Sequence, residues 1–468
     1  ISDVVSEMNV HFSSVSNQME RIDGYVQNMQ QRVALMESIK VVLLGLGVVG
    51  GGTWNVLQRN GEEIMRRAGR QIEVTDIAVR DMVKARAKVG DAAHITDDPY
   101  AVVRQPHIDI VVELIGGTTL ARELVLEAIA QGKHVVTANK ALLATHGTEI
   151  FEAASAKGVM VAFEAAVAGG IPIIKAIREG LTANRIEWVA GIINGTTNYI
   201  LTEMRNRSIS FEQALTQAQQ LGYAEADPSA DVDGYDAAQK LTLLASMAFG
   251  IPVQLSSAYV EGIAHVSDLD IEITDRLGFR IKLLGITRRR PEGIELRVHP
   301  TLVPAHSMLA NVEDAMNAVL VNGDAVGQTL YYGKGAGEEP TASAVVADLV
   351  DVTRLHTADP GQRVPHLAFQ PDSMSDIPVL PIEEVHSGYY LRMTVSDTPG
   401  VLADIAQVLA DCDISIGSMI QEPAAQGVAT LIFLTHLARE SNVNAAIARV
   451  EALPFMRSSV TRLRVETF

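Results

Sequence analysis

The sequence of 468 residues contains one cysteine, two tryptophans and no long apolar run. Because Cys412 has no second cysteine with which to pair, the chain forms no internal disulfide, which is typical of a reducing compartment and excludes a zinc site built from cysteines. No apolar stretch approaches the ~18 residues that a membrane-spanning helix needs, and the N-terminus lacks the basic and then apolar pattern of a signal peptide. These absences predict a soluble, cytoplasmic protein.

Positive charge is also scarce, since 38 Lys and Arg stand against 56 Asp and Glu, a formal net charge of −18. A protein that binds nucleic acid needs a basic surface to displace counterions from the phosphates, and anionic lipid makes a similar demand. We therefore expect neither nucleic acid nor membrane among its partners. At roughly 100–200 residues per domain, the length predicts about two to four domains.

Residues 1–36 carry apolar side chains spaced alternately four and three apart, from Ile1 to Met36. This spacing places one apolar stripe along a helix and is typical of a coiled coil. Two interpretations stay open. The segment is either an oligomerisation or partner helix, or an appendage that folds along its own domain or is a leader or fusion segment.

A glycine-rich loop follows the first predicted strand, Ile39–Leu44, and precedes a helical stretch that runs from Thr53 towards Met65. This is G-x-G-x-x-G in the strand–turn–helix context of dinucleotide-binding sites, where the helix N-terminus faces the pyrophosphate. A glycine-rich turn without a ligand is the alternative. The loop residues that we predict to contact a cofactor are Gly45, Gly47, Val48, Val49 and Gly50.

The second predicted strand, Ile72–Val79, ends at Arg80. An acidic residue near this strand end would hold the ribose 2′-hydroxyl of NAD, whereas an arginine suits the 2′-phosphate of NADP. Lys84 adds positive charge nearby, and Asp81 weakens the argument. The pattern predicts a preference for NADP(H), with NAD(H) possible and a solvated Arg80 as the alternative.

Two further strands are predicted at Ile108–Leu114 and His134–Thr137, each separated from its neighbour by a helical pattern. Alternating strands and helices build a doubly wound parallel sheet of the Rossmann type, with its ligand at the carboxyl ends of the strands. Lys140 comes directly after a strand and is expected to point into the cofactor crevice. A surface lysine in a loop is the alternative.

The middle of the chain contains three polar segments. Residues 164–174 form a small-residue turn that could hold a cation through oxygen ligands or simply pack tightly, and residues 194–199 have the pattern of a turn and helix cap. Asp236 and Lys240 are four residues apart on a predicted helix, so they share one face. Lys240 is a candidate acid/base if its surroundings adjust its pKa; a surface ion pair is the alternative.

The C-terminal region begins after a predicted helix at Thr341–Val350 and a linker rich in proline and polar residues. Strands are predicted at Tyr389–Val395, at Ile414–Ile416 and at Ala429–Leu434, with helices between and after them. The order strand–helix–strand–strand–helix–strand predicts a ferredoxin-like module.

These motifs together resemble those of the homoserine dehydrogenase family from about Ile39 to the C-terminus. The resemblance is carried by GLGVVG, TANK, EAAVAGGIPII, NGTTNYIL and GYAEADPSADVDGYDAAQK. It implies NAD(P)H-dependent interconversion of L-homoserine and L-aspartate 4-semialdehyde in threonine, methionine and isoleucine biosynthesis. Lys334 replaces a proline in the family's G-P-G-A-G segment, here residues 333–337, which puts the local loop shape in doubt.

The resemblance also implies a role for individual residues. Lys240 would exchange the proton at the substrate oxygen, with Lys140 beside it at substrate and cofactor. The implied substrate-binding carboxylates are Glu225, Asp236 and Asp231. The further implied cofactor contacts are Gly222 and Gly337. A structural sodium ion would be held by Glu164 and by the backbone carbonyls of Val167, Gly169 and Ile171.

The C-terminal module looks like an ACT domain, carried by the D-x-P-G-V-L segment from Asp397. Such modules bind an amino acid at a subunit interface, so the resemblance implies L-threonine as effector and a homo-oligomer, dimer or tetramer. A purely oligomerising ACT domain is the alternative.

The expected domain order follows from these assignments. It is a helical appendage (1–36), a nucleotide-binding domain (37–165, completed by about 338–358), an inserted α+β catalytic and dimerisation domain (166–337), a linker (359–387) and the ACT domain (388–468). Two other functions stay open: a dehydrogenase for a related small amino acid, and an amino-acid-sensing scaffold whose dehydrogenase half is silent.

Overall fold

The structure is a computed structural model that describes Met19, residues 38–425 and residues 427–468. The predicted coiled coil of residues 1–36 therefore lies outside the described residues, except for Met19. Within the described ranges, no helix combines the length and the apolar character that crossing a membrane would require.

Strands and helices alternate from β1 to β6, whereas the later part of the chain has runs of helices and runs of strands. The strands are β1 Ile39–Leu44, β2 Ile72–Ala78, β3 His94–Thr96, β4 Ile110–Glu113, β5 His134–Thr137, β6 Val161–Ala162, β7 Ile186–Ile192, β8 Tyr259–Val260, β9 Phe279–Arg289, β10 Ile294–Pro304, β11 Met316–Gly323, β12 Gly327–Lys334, β13 His386–Ser396, β14 Ile416–Ala425, β15 Val428–Thr435, β16 Ala438–Arg439 and β17 Thr461–Val465. The helices are α1 Val48–Ala68, α2 Met82–Val89, α3 Pro99–Val103, α4 Leu120–Ala130, α5 Lys140–Lys157, α6 Ile173–Lys175, α7 Gly195–Arg207, α8 Phe211–Gln220, α9 Ser229–Val232, α10 Tyr235–Phe249, α11 Asp268–Arg276, α12 Glu338–Leu355, α13 Val401–Asp411 and α14 Glu440–Glu451.

The first sheet has the strand order β3-β2-β1-β4-β5-β6, and every pair in it is parallel. The predicted doubly wound fold is thereby confirmed. Its central strands are β-branched and buried, as a sheet covered by helices on both faces requires. The order reverses between β1 and β4, so the carboxyl ends of these strands open the crevice in which such folds bind ligands.

Helix α1 begins at Val48, five residues before the predicted start at Thr53. The glycines between these positions allow close packing. A Cβ at Gly50 would lie 2.2 Å from the carbonyl oxygen of Gly45, and one at Gly52 would lie 2.7 Å from Glu338. The second contact comes from α12, which returns to the nucleotide-binding sheet and packs along α1.

The second sheet is mixed, and its strand order runs β12-β11-β7-β9-β10-β17-β13-β15-β14. Helices α7, α10 and α11 pack against its central strands. The last four strands, β17-β13-β15-β14, have the antiparallel order of a ferredoxin-like module, which confirms that prediction.

The C-terminal module is not attached by the linker alone. Strand β17 pairs antiparallel with β13 on one edge and parallel with β10 on the other, where Thr301 opposes Arg464. The catalytic and C-terminal sheets are therefore one continuous sheet, which the sequence did not predict. Strand β14 begins at Ile416 rather than at Ile414, because Asp413 turns the chain in the left-handed region (φ 59°) and Ile414 is buried in the module core.

Candidate active site

The glycine loop after β1 has the geometry that the motif predicts. Gly45 has a φ of +100°, and a Cβ there would lie 2.8 Å from the carbonyl oxygen of Leu114. Apart from its own chain neighbours, none of the described residues has an atom within 4 Å of the place where a Cβ at Gly47 would lie, so the backbone at this position has space for a ligand. Val48, the first residue of α1, is 68% exposed over the same loop. The loop and the N-terminus of α1 therefore fit a dinucleotide pyrophosphate.

A buried carboxylate that sequence reasoning missed shapes the neighbouring edge of the crevice. Glu113 ends β4 and is fully buried. Its Oε1 accepts hydrogen bonds from the backbone N–H groups of Ile115 (2.9 Å) and Gly116 (3.0 Å), and its Oε2 accepts one from Thr137 Oγ1 at 2.7 Å. An acidic residue at the end of an otherwise aliphatic strand was the available signal.

The same network continues to the start of helix α5. Thr137 Oγ1 accepts a hydrogen bond from the N–H of Asn139, whose Nδ2 donates to the carbonyl of Gly117 at 2.7 Å. Asn139 also caps α5 by accepting from the N–H of Leu142. Lys140, the first residue of this helix, is thereby held at the crevice, where its position was predicted.

Three charged side chains from two domains meet at that point. Lys240 Nζ donates to Asp236 Oδ2 at 2.6 Å and to the carbonyl of Ile193 at 2.7 Å, and Lys140 Nζ lies 3.3 Å from Asp236 Oδ1. The side chains of Lys240 and Asp236 are each 11% exposed, against 35% for Lys140. The structure thus brings together the two predicted catalytic lysines, with Asp236 between them.

Burial and these neighbours set the protonation behaviour of the cluster. Burial lowers the pKa of Lys240, the charge of Asp236 opposes this effect, and the second ammonium at Lys140 lowers the pKa further. Burial acts to raise the pKa of Asp236, but Lys240 and then Lys140 outweigh it, and the pKa is about 2. Asp236 is therefore a permanent anion, while Lys240 is disposed to give up its proton more readily than an ordinary lysine.

Asn194 links the cluster to a second carboxylate. It caps α7, and its Nδ2 donates to Asp231 Oδ1 at 2.6 Å and to Asp236 Oδ2 at 2.8 Å. Burial raises the pKa of Asp231, Asn194 opposes this, and the nearby charge of Asp236 raises it again. Only the capping role of Asn194 was predicted, because the residues around it in the sequence do not show which distant carboxylates it will contact.

The remaining predicted contacts lie at the rim. Glu225 and Gly222 are exposed on the segment between α8 and α9, and Glu225 forms no side-chain ion pair with the residues that the structure describes. Gly337 (φ +126°) precedes α12. Arg80 is exposed at the end of β2, and the carboxylate of Asp81 is turned away to cap α2 through the N–H of Lys84 at 2.9 Å.

The predicted cation loop is tightly folded. Ala168 and Gly169 both have left-handed φ values, 55° and 43°, and a Cβ at Gly169 would lie 2.4 Å from the carbonyl oxygen of Gly335. The carboxylate of Glu164 accepts hydrogen bonds from the backbone N–H groups of Ile174 and Lys175, both at 2.9 Å. The carboxylate of Glu164 is therefore already occupied by backbone donors.

A parallel dinucleotide-binding sheet with Lys140 at its edge, facing Lys240 and Asp236 on a helix of the second sheet, defines the class: the chain is a nicotinamide-dependent oxidoreductase with a C-terminal ferredoxin-like module. Comparison with known families makes this specific. Residues 45–164 match the NAD-binding domain of homoserine dehydrogenase, residues 172–350 match homoserine dehydrogenase, and residues 389–455 match the ACT domain.

Individual relatives agree over nearly the whole chain. The homoserine dehydrogenase of Pseudomonas aeruginosa is 60% identical over 433 residues, which are 92% of this chain and 99% of that protein. The crystal structure of a homoserine dehydrogenase from Thiobacillus denitrificans is 63% identical with a TM-score of 0.89, covering 92% of this chain and 99% of that one. A hyperthermophilic archaeal homoserine dehydrogenase, solved in complex with NADPH, is 25% identical with a TM-score of 0.59 over 69% of this chain and 99% of that one.

The chain belongs to the homoserine dehydrogenase family. It is an NAD(P)-dependent oxidoreductase that interconverts L-homoserine and L-aspartate 4-semialdehyde. This assignment takes the place of the two alternatives that the sequence left open, a dehydrogenase for a related small amino acid and a scaffold with a silent dehydrogenase half.

Proposed function

We propose that Lys240 exchanges the proton with the substrate oxygen. The observation that carries this proposal is the placement of its ammonium, which is largely buried, faces a second ammonium at Lys140 and is held by Asp236 Oδ2 at 2.6 Å. A bound nicotinamide supplies or accepts the hydride. Reduction of the aldehyde leaves alkoxide character on oxygen, which a positioned ammonium stabilises and protonates.

Asp236 then has a different task from the substrate contact that the resemblance implied. Both of its oxygens already engage lysines, so in our proposal it orients Lys240 and Lys140 and any contact with substrate is additional. Asp231 and the exposed Glu225 are the carboxylates that remain for the ammonium group of homoserine. In our proposal Lys140 contacts both the substrate and the nicotinamide end of the cofactor; the support is its ammonium, which lies 3.3 Å from Asp236 Oδ1 on a side chain that is 35% exposed.

The decisive experiment replaces Lys240 by methionine. Lys240→Met should abolish turnover of homoserine while leaving the affinity for NADPH nearly unchanged, as measured by steady-state kinetics and by fluorescence titration. Lys282→Met is the matched control, because Lys282 is a second buried lysine, 2% exposed, which bonds the carbonyl of Val312 outside the site. Turnover in Lys240→Met at the level of this control would refute the proposal.

We also propose that NADP(H) is preferred over NAD(H). The proposal is supported by Arg80, which is exposed just after β2, the strand end near which such folds read the ribose 2′ position, and by Asp81, the residue that could have favoured NAD, which caps α2. Arg80→Ala should raise the KM for NADPH and leave the KM for NADH unchanged. An equal effect on both cofactors would contradict the preference.

We propose a sodium ion in the loop of residues 164–171, held by the backbone carbonyls of Glu164, Val167, Gly169 and Ile171. Within the described residues, no hydrogen-bond donor reaches the carbonyls of Val167 and Gly169. Neutral oxygen ligands suit a hard cation of low charge. The melting temperature should be higher in sodium chloride than in choline chloride of equal ionic strength, and equal values would exclude the ion.

Finally, we propose that the ACT module binds L-threonine at an interface between copies of the chain. Its support is the ACT-like turn from Asp397 to Gly400, where Gly400 adopts a φ of +98° before α13. Homoserine oxidation with and without threonine, together with light scattering, tests both parts. Absence of a threonine effect would favour a module that serves only oligomerisation.

A further inference from the structure

Asn194 is the point at which the active-site carboxylates are held together. Its side chain is 4% exposed at the start of α7. The carboxamide oxygen accepts hydrogen bonds from the N–H and the Oγ1 of Thr197, both at 2.8 Å. Since these two groups need an acceptor, the orientation of the amide is fixed, and both hydrogens of Nδ2 point away from the helix.

Each of these two hydrogens is donated to a carboxylate, and the two carboxylates lie on different helices. Nδ2 donates to Asp231 Oδ1 in α9 at 2.6 Å and to Asp236 Oδ2 in α10 at 2.8 Å. Two carboxylates that share one donor atom repel each other, and a neutral donor between them lowers that cost without cancelling the charge of either. An amide is the side chain that can donate twice in this way and still accept from the helix.

The residue before Asn194 completes the arrangement. The carbonyl of Ile193 accepts a hydrogen bond from Lys240 Nζ at 2.7 Å, and the same ammonium donates to Asp236 Oδ2 at 2.6 Å. Residues 193 and 194, which connect β7 to α7, therefore contact Lys240, Asp236 and Asp231. Rotation of Asp236 away from Asn194 would carry Lys240 with it.

We propose that Asn194 is a positioning residue for the reaction, one that fixes the separation of Asp231 and Asp236 and so holds Lys240 in its reactive orientation. In this arrangement Asp236 stays in contact with Lys140 and Lys240, and the second oxygen of Asp231 is available to bind the ammonium group of the substrate. This proposal rests on the proposed role of Lys240. It adds that an uncharged side chain, that of Asn194, fixes the relative positions of the charged groups in the cluster.

Two substitutions separate this task from helix capping. Serine and aspartate are both good N-cap residues, so Asn194→Ser and Asn194→Asp keep an acceptor for α7. Neither can donate two hydrogen bonds to the carboxylates, and Asn194→Asp also adds a third negative charge beside Lys240. Asn198→Ser is the matched control, because Asn198 is a buried amide of the same helix that donates to backbone carbonyls, including that of Val312, instead of the carboxylates.

We expect kcat/KM for homoserine to fall roughly 10- to 100-fold in Asn194→Ser, the size expected for loss of hydrogen bonds to charged groups. In Asn194→Asp the kcat/KM for homoserine should fall further than in Asn194→Ser. The limb of the Asn194→Asp pH–rate profile that reports loss of the Lys240 proton should move to higher pH, because the added charge stabilises the ammonium. The Kd for NADPH should stay near the wild-type value in both variants.

A purely structural role predicts a different pattern. If Asn194→Ser and Asn194→Asp retain wild-type kinetics, or lose activity only as much as Asn198→Ser with an unshifted pH profile, the positioning role is wrong. The two proposals also fail separately. Normal turnover in Lys240→Met would remove the proposed proton exchange, whereas an inactive Lys240→Met combined with fully active Asn194 variants would remove only the inference on Asn194.

Discussion

The junction between the ACT module and the catalytic sheet offers a sharp test of how burial changes the value of an ion pair. Arg464, on β17, donates to Glu440 through Nε at 2.9 Å and through Nη2 at 2.6 Å, and both side chains are at most 1% exposed. Its Nη1 reaches Glu261 Oε2 at 2.9 Å, and its guanidinium lies 4.9 Å from the ring centroid of Tyr259. We call the set of Arg464, Glu440, Glu261 and Tyr259 the charged junction.

A surface pair in the same module provides the comparison. Arg449 Nη2 lies 2.7 Å from Asp411 Oδ2, almost the distance of the buried pair, but these side chains are 47% and 41% exposed. Arg464→Leu removes two hydrogen bonds from the buried Glu440 and leaves it one cation, the partly exposed Arg462, whose Nη1 lies 2.8 Å from Oε1. Because one cation remains, the cost should fall below the roughly 3–5 kcal/mol of a buried charge left with no partner and lie at about 1.5–3 kcal/mol, the range for hydrogen bonds to charged groups. Arg449→Leu leaves Asp411 in water, so its effect should be close to zero.

Hydrogen exchange of individual segments is the suitable assay, because unfolding of a chain with several domains is not a two-state process. In Arg464→Leu the amides of β17 and β13 should exchange at least ~10-fold faster, since each 1.4 kcal/mol is a factor of ten. In Arg449→Leu they should exchange at the wild-type rate. Arg464→Leu combined with Glu440→Leu should recover part of the loss, because no buried charge is then left unpaired.

The pH dependence supplies an internal check. Burial acts to raise the pKa of Glu440, but Arg464 outweighs it and lowers the pKa below its ordinary value. The stabilisation is therefore fully present above the ordinary pKa and is lost as the pH falls through the lowered one. In Arg464→Leu the carboxyl of Glu440 keeps one cation, Arg462, and takes up a proton at a higher pH than in the wild type, so the difference between the two proteins should shrink in acid. Equal exchange in the Arg464 and Arg449 variants at neutral pH would refute the reasoning.

Three other predictions concern the nucleotide-binding half. Gly47→Ala should weaken NADPH binding and leave the melting temperature unchanged, whereas Gly50→Ala, whose Cβ would lie 2.2 Å from a carbonyl oxygen, should lower the melting temperature; equal melting temperatures would contradict this. Glu113→Ala should weaken NADPH binding roughly tenfold or more by leaving buried donors without an acceptor, and an unchanged Kd in titrations would contradict it. Burial raises the pKa of Glu164 from 4.5 to about 7. Because this carboxyl loses its proton more readily in the unfolded chain, its ionisation increasingly destabilises the folded state as the pH rises through that interval. Glu164→Gln should flatten the corresponding fall in melting temperature, and parallel pH curves for the two proteins would show that Glu164 is not responsible.

The parts of the fold that were predicted correctly depend on short-range patterns. The glycine loop at Gly45 and the i, i+4 pair of Asp236 and Lys240 each lie within one element or one turn, so spacing alone reveals them. The parallel sheet follows from the alternation of strands and helices. The family resemblance then added residue roles that spacing cannot supply.

The parts that were missed depend on contacts between residues far apart in the chain. Asn194 bonds carboxylates 37 and 42 residues away, and locally it has only the pattern of a helix cap. Glu113 ends a buried strand, and its three donors come from a loop and from the next strand. The pairing of β17 with β10 joins a strand of five residues to a strand of eleven that lies far away in the chain, and neither carries a signal of its partner.

The charged junction is connected to the active site through the loop of Glu261 and Gly262. Glu261 bonds Arg464, and the next residue, Gly262, packs so closely that a Cβ there would lie 2.2 Å from the carbonyl oxygen of Val232. Val232 directly follows Asp231 and precedes the turn into α10. Because so close a contact leaves no space for independent movement, a shift of β17 should displace that turn. We therefore expect Arg464→Leu to raise the KM for homoserine while the Kd for NADPH stays unchanged, since the cofactor loop lies on the other domain. An unchanged KM would mean that the junction stabilises the module without positioning the substrate carboxylates.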